Sequence, residues 1–390
     1  MHDLTVDREY AIFLENEMAY KGAYMRKIVF HLNCLEQGGA ERVVTTLANR
    51  LVQEGYDVYI ATEWTAENEF AIDERIHRVH VGLTEKQEKA STKRQFFMRI
   101  SNLKNFLKKE KPDILIAFAQ KANYRALMAT YFMRLPVIVS VRTNPYLHYV
   151  GKRDRILIPL LYPTAAGNVF QTVGAKEFFT KKIQKKSKII LNPINDKYIG
   201  VPEPAERRKT VVQSGRLVDF KNQLLLIDAF VKVHEKHPDY TLEIYGGDSH
   251  DGTKELLEKS IAKNQAEEYV HLMGASDELE KKLNDAALFA FSSDWEGLPN
   301  ALMEAMALGL PVVATDCPCG GPATLIENEK NGLLVPIKDA DALAAGMNRL
   351  IEDRDFAERL GREARKIKDI ANTEAVVRQW RDYIEELCKK

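Results

Sequence analysis

Short apolar runs alternate with helix-forming stretches along most of this chain, and that alternation limits the fold more than any other feature. Runs of strand length occur at 27–32, 57–62, 77–81, 113–118, 136–141, 166–170 and 188–191, and again at 210–213, 240–245, 271–274, 286–291 and 311–315. Strands separated by helices build parallel sheets covered by helices on both faces. A chain of 390 residues exceeds the roughly 250–300 residues at which single cores stop growing, so two such domains are expected. Pro202-Glu203-Pro204-Ala205-Glu206 interrupts the pattern as a linker. The expected division is an N-terminal extension at 1–24, a first α/β domain at 25–200, a second at 201–372, and a closing helix at 373–390 that crosses back.

Ligands of parallel sheets collect beyond the carboxyl ends of the strands. The run from Ser293 to Ala307 sits at such an end, after the apolar stretch Ala286-Ala287-Leu288-Phe289-Ala290-Phe291. Gly297 permits a sharp turn, Leu298 follows it, Pro299 suits a first helical position, and Asn300 opens a run of strong helix formers. The free N–H groups and dipole of that helix end make an anion site fit for a phosphate. Two acids flank it, Glu296 in the loop and Glu304 about two turns in. Carboxylates repel phosphate but accept strong hydrogen bonds from hydroxyls, which points to a ligand with hydroxylated rings on either side of its phosphates, a nucleotide sugar. The pair alone also fits an ordinary strand-loop-helix unit with two surface acids.

Other strand ends supply matching parts. Gly38 and Gly39 follow the first strand and allow close backbone approach at another helix start, although a tight turn needs the same residues. Arg216 and Lys221, in Ser214-Gly215-Arg216-Leu217-Val218-Asp219-Phe220-Lys221-Asn222, can together neutralise a diphosphate. Gln120 follows one strand of the first domain, and Arg142 and Asn144 follow another, placed where a loop would face the cleft between the domains or simply connect its elements. No Asp-x-Asp pair lies near these loops, so no metal is expected, and no other cofactor.

Glu296-Gly297-Leu298-Pro299 with Glu304 resembles the Glu-x7-Glu pattern of retaining GT-B glycosyltransferases, in particular the large family 4. Gly-Gly-Ala-Glu-Arg at 38–42 and Gly-Arg-Leu…Lys-Asn at 215–222 are similar to further stretches of that family. The resemblance covers roughly 25–390. It implies two Rossmann-like domains facing across a cleft and transfer of a sugar from a nucleoside diphosphate sugar, with UDP the expected nucleotide. It also implies that Arg216 and Lys221 hold the donor phosphates, Glu304 the ribose, Glu296 the transferred sugar, and the neighbourhood of Met273 the base. Family members carry a histidine near the position of Gln120, and this chain does not. The alternatives are a UDP-sugar 2-epimerase-like isomerase, which would turn over donor alone, and a non-catalytic nucleotide-sugar-binding subunit.

Net charge is zero, but 1–200 holds 31 Lys and Arg against 21 Asp and Glu. Between 86 and 190 the ratio is 22 to 5, which suits an anionic partner, with no nucleic acid expected. Residues 93–111 and 177–188 read as basic amphipathic segments able to lie on an anionic membrane surface, or as ordinary helices with solvated backs. A glycan or lipid-linked acceptor fits this domain. The acidic N-terminus is unlike a secretory signal, and the four cysteines lack zinc-site spacing, which leads to an expectation of free thiols and a cytoplasmic enzyme, peripheral to the membrane's inner face.

Overall fold

The computed structural model describes residues 26–36 and 38–389. The extension expected at 1–24 lies outside them. Seven strands form the first sheet: β1 (Lys27–Leu32), β2 (Asp57–Thr62), β3 (His77–His80), β4 (Ile114–Phe118), β5 (Val137–Ser140), β6 (Gly167–Phe170) and β7 (Ser187–Ile189). Six form the second: β8 (Arg208–Ser214), β9 (Thr241–Tyr245), β10 (Val270–Gly274), β11 (Ala286–Phe291), β12 (Val312–Thr315) and β13 (Leu333–Val335). Every pairing is parallel, in the orders β3-β2-β1-β4-β5-β6-β7 and β10-β9-β8-β11-β12-β13. Strand order reverses between β1 and β4 and between β8 and β11, which opens a crevice at each carboxyl edge.

The helices that bear on the site are α1 (Gly39–Gln53), α2 (Thr92–Glu110), α3 (Gln120–Thr130), α4 (Lys152–Leu161), α5 (Asn300–Ala307) and α6 (Thr373–Cys388). Side chains alternate across a strand, so each sheet buries two faces. β1 sends Ile28, Phe30 and Leu32 toward α1 and α6, and Val29 toward the layer of α2, α3 and α4. β11 likewise sends Phe289 and Phe291 one way and Leu288 and Ala290 the other. Such strands read as continuous apolar runs, as they do here.

The closing helix does cross back. On α6, Trp380 is fully buried in the first core and stacks on Phe118 at 5.5 Å. The Tyr383 hydroxyl accepts from Asn168 N at 3.2 Å and donates to Lys186 O at 2.8 Å. The two crossings between lobes run side by side, with Ile194 N donating to Ala371 O at 2.8 Å and Thr373 Oγ1 to Asp196 Oδ1 at 2.8 Å.

One expectation fails. Residues 177–188 do not form a basic helix: the helix Val173–Glu177 ends there, Lys181–Gln184 forms a single turn, and β7 begins at Ser187. Thr180 starts the second turn, and Phe179 and Ile183 reach the core, so charge here lies on a broken surface. Residues 93–111 are helical as expected, but α2 buries only Leu103 and Leu107 and leaves Phe96 and Phe97 exposed.

A buried polar knot sits at the carboxyl end of β1 and β2. Glu63 is fully enclosed between Arg99 and Arg125, whose Nε stands 3.1 Å from Glu63 Oε1. His31 donates from Nδ1 to Ala61 O at 2.9 Å, which leaves Nε2 to accept from Arg125 Nε at 3.3 Å. Burial, and then the Arg125 charge, depress the His31 pKa to about 3. The unfolded chain therefore takes the proton first, so this contribution to stability is whole above the ordinary value of 6.5 and is lost as pH falls toward about 3. Urea unfolding of His31→Gln at successive pH values should show a shallower acid limb than the parent, by at most about 1.4 kcal/mol per pH unit.

Candidate functional site

The loops after β8 and β11 are stitched together before either meets a ligand. Ser292 Oγ donates to Lys221 O at 2.9 Å, Asp294 N to Phe220 O at 2.9 Å, and Asn222 Nδ2 to Asp294 Oδ1 at 2.9 Å. Asn222 takes a left-handed conformation at φ 47°, which an asparagine tolerates, and caps the helix Gln223–Lys236 by accepting from Leu225 N. This bracing fixes Lys221 beneath Glu296. The lysine Nζ contacts Glu296 Oε1, Ser293 Oγ lies 3.3 Å from the same oxygen, and both side chains of the ion pair are largely buried.

Glu296 is also held by its backbone, donating to Pro318 O at 3.0 Å and accepting from Cys319 N at 3.3 Å. Gly297 is not left-handed, so the turn does not require glycine for its φ. Space is close instead: a Cβ there would stand 3.3 Å from Arg142 O, a tight approach, and 3.5 Å from Gln171 Oε1, both in the first lobe. Pro299 proves to be the residue before the helix rather than its first, with φ −78° and ψ 102°, and α5 starts at Asn300. Leu298 is buried in the second core and seats the loop.

Glu304 lies on α5, 8% exposed, and its Oε1 meets Arg42 Nη1 of α1 at 3.1 Å across the lobe boundary. Burial raises the pKa of this carboxyl, and Arg42 opposes the rise. Each of the two acids thus carries its own cation. Gly38 and Gly39 form the turn into α1, where a Cβ at Gly39 would come 3.5 Å from Asn300 Nδ2. Asn300 Oδ1 accepts from Asn192 Nδ2 at 2.7 Å, so the glycine turn, α5 and the end of β7 converge.

Arg142 closes this convergence. Its Nη1 donates to Asn192 Oδ1 at 2.9 Å, and its guanidinium lies over Phe118 at 4.7 Å and Trp380 at 5.6 Å. Desolvation pulls its pKa down to about 9. Nε and Nη2 are buried and find no acceptor among the described residues. Arg216 is exposed on the loop after β8. Met273 stands on the edge strand β10, 45% exposed, separated from β8 by β9.

Two first-lobe expectations meet prior commitments. Gln120 Nε2 donates to His148 O at 2.9 Å and to Asp154 Oδ1 at 2.8 Å, bracing the loop after β5 against α4. Asn144 is 1% exposed and accepts from Tyr146 N, so it caps a helical turn rather than facing an acceptor. Sequence reasoning quoted Arg42 without a role and did not single out Asn192, Gln171 or the ring stack of Trp295 on Phe220 at 4.1 Å, with His148 of the first lobe 5.8 Å from Trp295. Asn192 was within reach of the strand-end rule, since it stands just beyond β7.

The model of the family described as Glycosyl transferases group 1 matches residues 195–367, and that of Glycosyltransferase Family 4 matches 37–197. The chain belongs to the group 1, or family 4, glycosyltransferases. It is 24% identical over 360 residues to a glycosyltransferase of Haemophilus influenzae, covering 92% of this chain and 99% of that one. It is 28% identical over 346 residues to the N-acetylgalactosamine-N,N'-diacetylbacillosaminyl-diphospho-undecaprenol 4-alpha-N-acetylgalactosaminyltransferase of Campylobacter jejuni, covering 84% and 91%. Among solved structures, Anabaena HepE in complex with UDP superimposes with a TM-score of 0.78 at 18% identity, over 93% of this chain and 100% of that one. The fold of this glycosyltransferase is GT-B, as its motifs implied. Family membership sets aside the isomerase reading. Among the described residues, no helix is long and apolar enough to cross a membrane, and no group of three or more His, Cys, Asp or Glu residues is arranged to hold a metal ion.

Proposed function

We propose that this glycosyltransferase moves a hexose or N-acetylhexosamine from a UDP-sugar, with retention, to a hydroxyl of a glycan or lipid-linked oligosaccharide in surface polysaccharide assembly. The observation that carries the reading is the Lys221–Glu296 contact at the mouth of the α5 helix end. It sets a cation for phosphate beside a carboxylate for sugar hydroxyls. Arg216, Lys221 and the N–H groups from Gly297 to Asn300 would meet the charge that builds on the departing diphosphate, the largest single contribution open to such a site. These fixed charges do the work a divalent ion does elsewhere, so transfer should proceed in EDTA.

Glu304 would accept from the ribose, Glu296 from the transferred sugar, and Met273 would border the base. In the retaining step the bond from the anomeric carbon to phosphate oxygen breaks, the bond to the acceptor oxygen forms on the same face, and the acceptor proton passes to the departing phosphate. No enzyme nucleophile is needed. The lipid-linked acceptor is suggested by the Campylobacter relative, whose name specifies a diphospho-undecaprenol substrate, and by the basic first lobe. Peripheral contact with an anionic membrane surface belongs to the same reading.

A donor screen by thermal shift tests it. UDP-sugars at about 100 times Kd should stabilise the protein by roughly 2.7 kcal/mol, and the effective donor should release UDP only when acceptor is added. The proposal is lost if no UDP-sugar raises the melting temperature, or if transfer inverts the anomeric centre.

A further inference from the structure

Helix α4 turns its inner side to the first core and leaves an outer side that no other described residue covers. Asp154 is buried and locks the orientation: its carboxylate accepts from the Tyr124 hydroxyl at 2.7 Å, from Gln120 Nε2 at 2.8 Å and from Gly151 N at 3.0 Å. Ile158 and Leu161 are buried beside it. The outer side carries Ile156 at 66% and Leu160 at 54% exposure, one helical turn apart, among exposed Lys152, Arg153 and Arg155. A solvated helix does not usually present aliphatic side chains in line with its charges.

The preceding turn extends the same surface. Leu147 and Val150 are about half exposed, and Tyr146 leans edge-on against Phe178 at 5.1 Å, which joins the turn to the segment carrying exposed Lys181 and Lys182. Between 142 and 188 the sequence holds two acids, Asp154, which is buried, and Glu177, which is exposed. The surface is therefore basic and aliphatic at once. It also borders the interlobe gap, because His148 in this turn meets Trp295, the residue before Glu296.

We propose that this face, α4 with the 146–150 turn, rests on an anionic lipid bilayer. Ile156, Leu160, Leu147 and Val150 enter the headgroup boundary, and Lys152, Arg153 and Arg155 meet lipid phosphates. A second copy of the chain fits poorly, since two such faces would oppose their own positive charge. Nucleic acid would leave the aliphatic side chains without a role. The bilayer assignment builds on the proposed function in one respect: it sets the cleft mouth at the height where a lipid-linked acceptor presents its sugars. It also moves the main contact from the expected basic runs to a helix whose spacing alone did not single it out.

Flotation with phosphatidylcholine vesicles, with and without phosphatidylglycerol, tests the surface. The full chain should float with the phosphatidylglycerol vesicles at low salt and be released as salt rises. Ile156→Glu with Leu160→Glu should abolish flotation. Lys152→Gln/Arg153→Gln/Arg155→Gln should weaken it about a hundredfold, at roughly 1 kcal/mol for each basic residue near the surface. All variants should keep the parent's thermal shift with UDP. The inference is overturned if the parent does not bind these vesicles, if the Glu pair binds as well as the parent, or if the Glu pair dissociates an oligomer of a parent that ignores lipid. If vesicle binding follows the expected pattern while UDP gives no shift in any protein, the donor reading falls and the membrane face stands.

Discussion

Lys221→Ala should lower kcat by about 10²- to 10³-fold, the usual cost of removing one group that stabilises charge developing in the transition state. The effect is large because two functions fail together. The lysine contacts Glu296 in a largely buried pair, so in the proposed mechanism its removal takes a cation from the leaving phosphate and also leaves the carboxylate proposed for the sugar without its partner. Lys221→Arg should recover only part of the loss, since a planar fork does not place its charge where an ammonium sits. Arg216→Ala, at an exposed position, should act more on donor KM than on kcat. Steady-state kinetics at saturating donor separate the two. Equal and small effects from both substitutions would remove the phosphate role from this loop.

The second large effect is expected at the lobe boundary. Arg42→Ala leaves Glu304 buried without its counter-charge, and breaking such a pair typically costs about 3–5 kcal/mol. The lower end applies, because the Arg42 side chain is 23% exposed. The sign of the pH dependence follows from Glu304, whose pKa already lies above the ordinary carboxyl value and rises further without the arginine. A raised carboxyl contributes its stability below the unfolded-state value and loses it as pH climbs through the folded-state value. The deficit of Arg42→Ala should therefore be greatest at neutral and alkaline pH and shrink as Glu304 protonates. Urea unfolding across pH measures it. A deficit that does not change with pH would mean that Arg42 contributes packing and not charge.

Sequence made the sheets plain because parallel strands buried on both faces are apolar throughout, and Phe289, Phe291, Leu288 and Ala290 are all needed inside. The loops after β8 and β11 were equally visible, because Gly297, Lys221 and Glu296 lie within single strand-to-helix connections. What stayed hidden was pairing between distant segments. Nothing near Arg42 names Glu304, and nothing near Asn192 names Asn300, yet both contacts cross the lobe boundary. Asn144, buried as a helix cap, was overread for the opposite reason: a polar residue past a strand end serves equally well as a cap, or as a brace in the manner of Gln120. The 177–188 run misled because charge spacing carries no information on where a helix stops.

The crossing of α6 has a consequence for how the protein is made. The ribosome releases all seven strands of the first lobe long before residues 373–388, and the whole second lobe is synthesised in between. At about 5–20 residues per second that interval is on the order of tens of seconds. Throughout it Phe118 faces an empty berth where the Trp380 indole will lodge, so the nascent first lobe needs either a chaperone's cover or a tolerance for waiting.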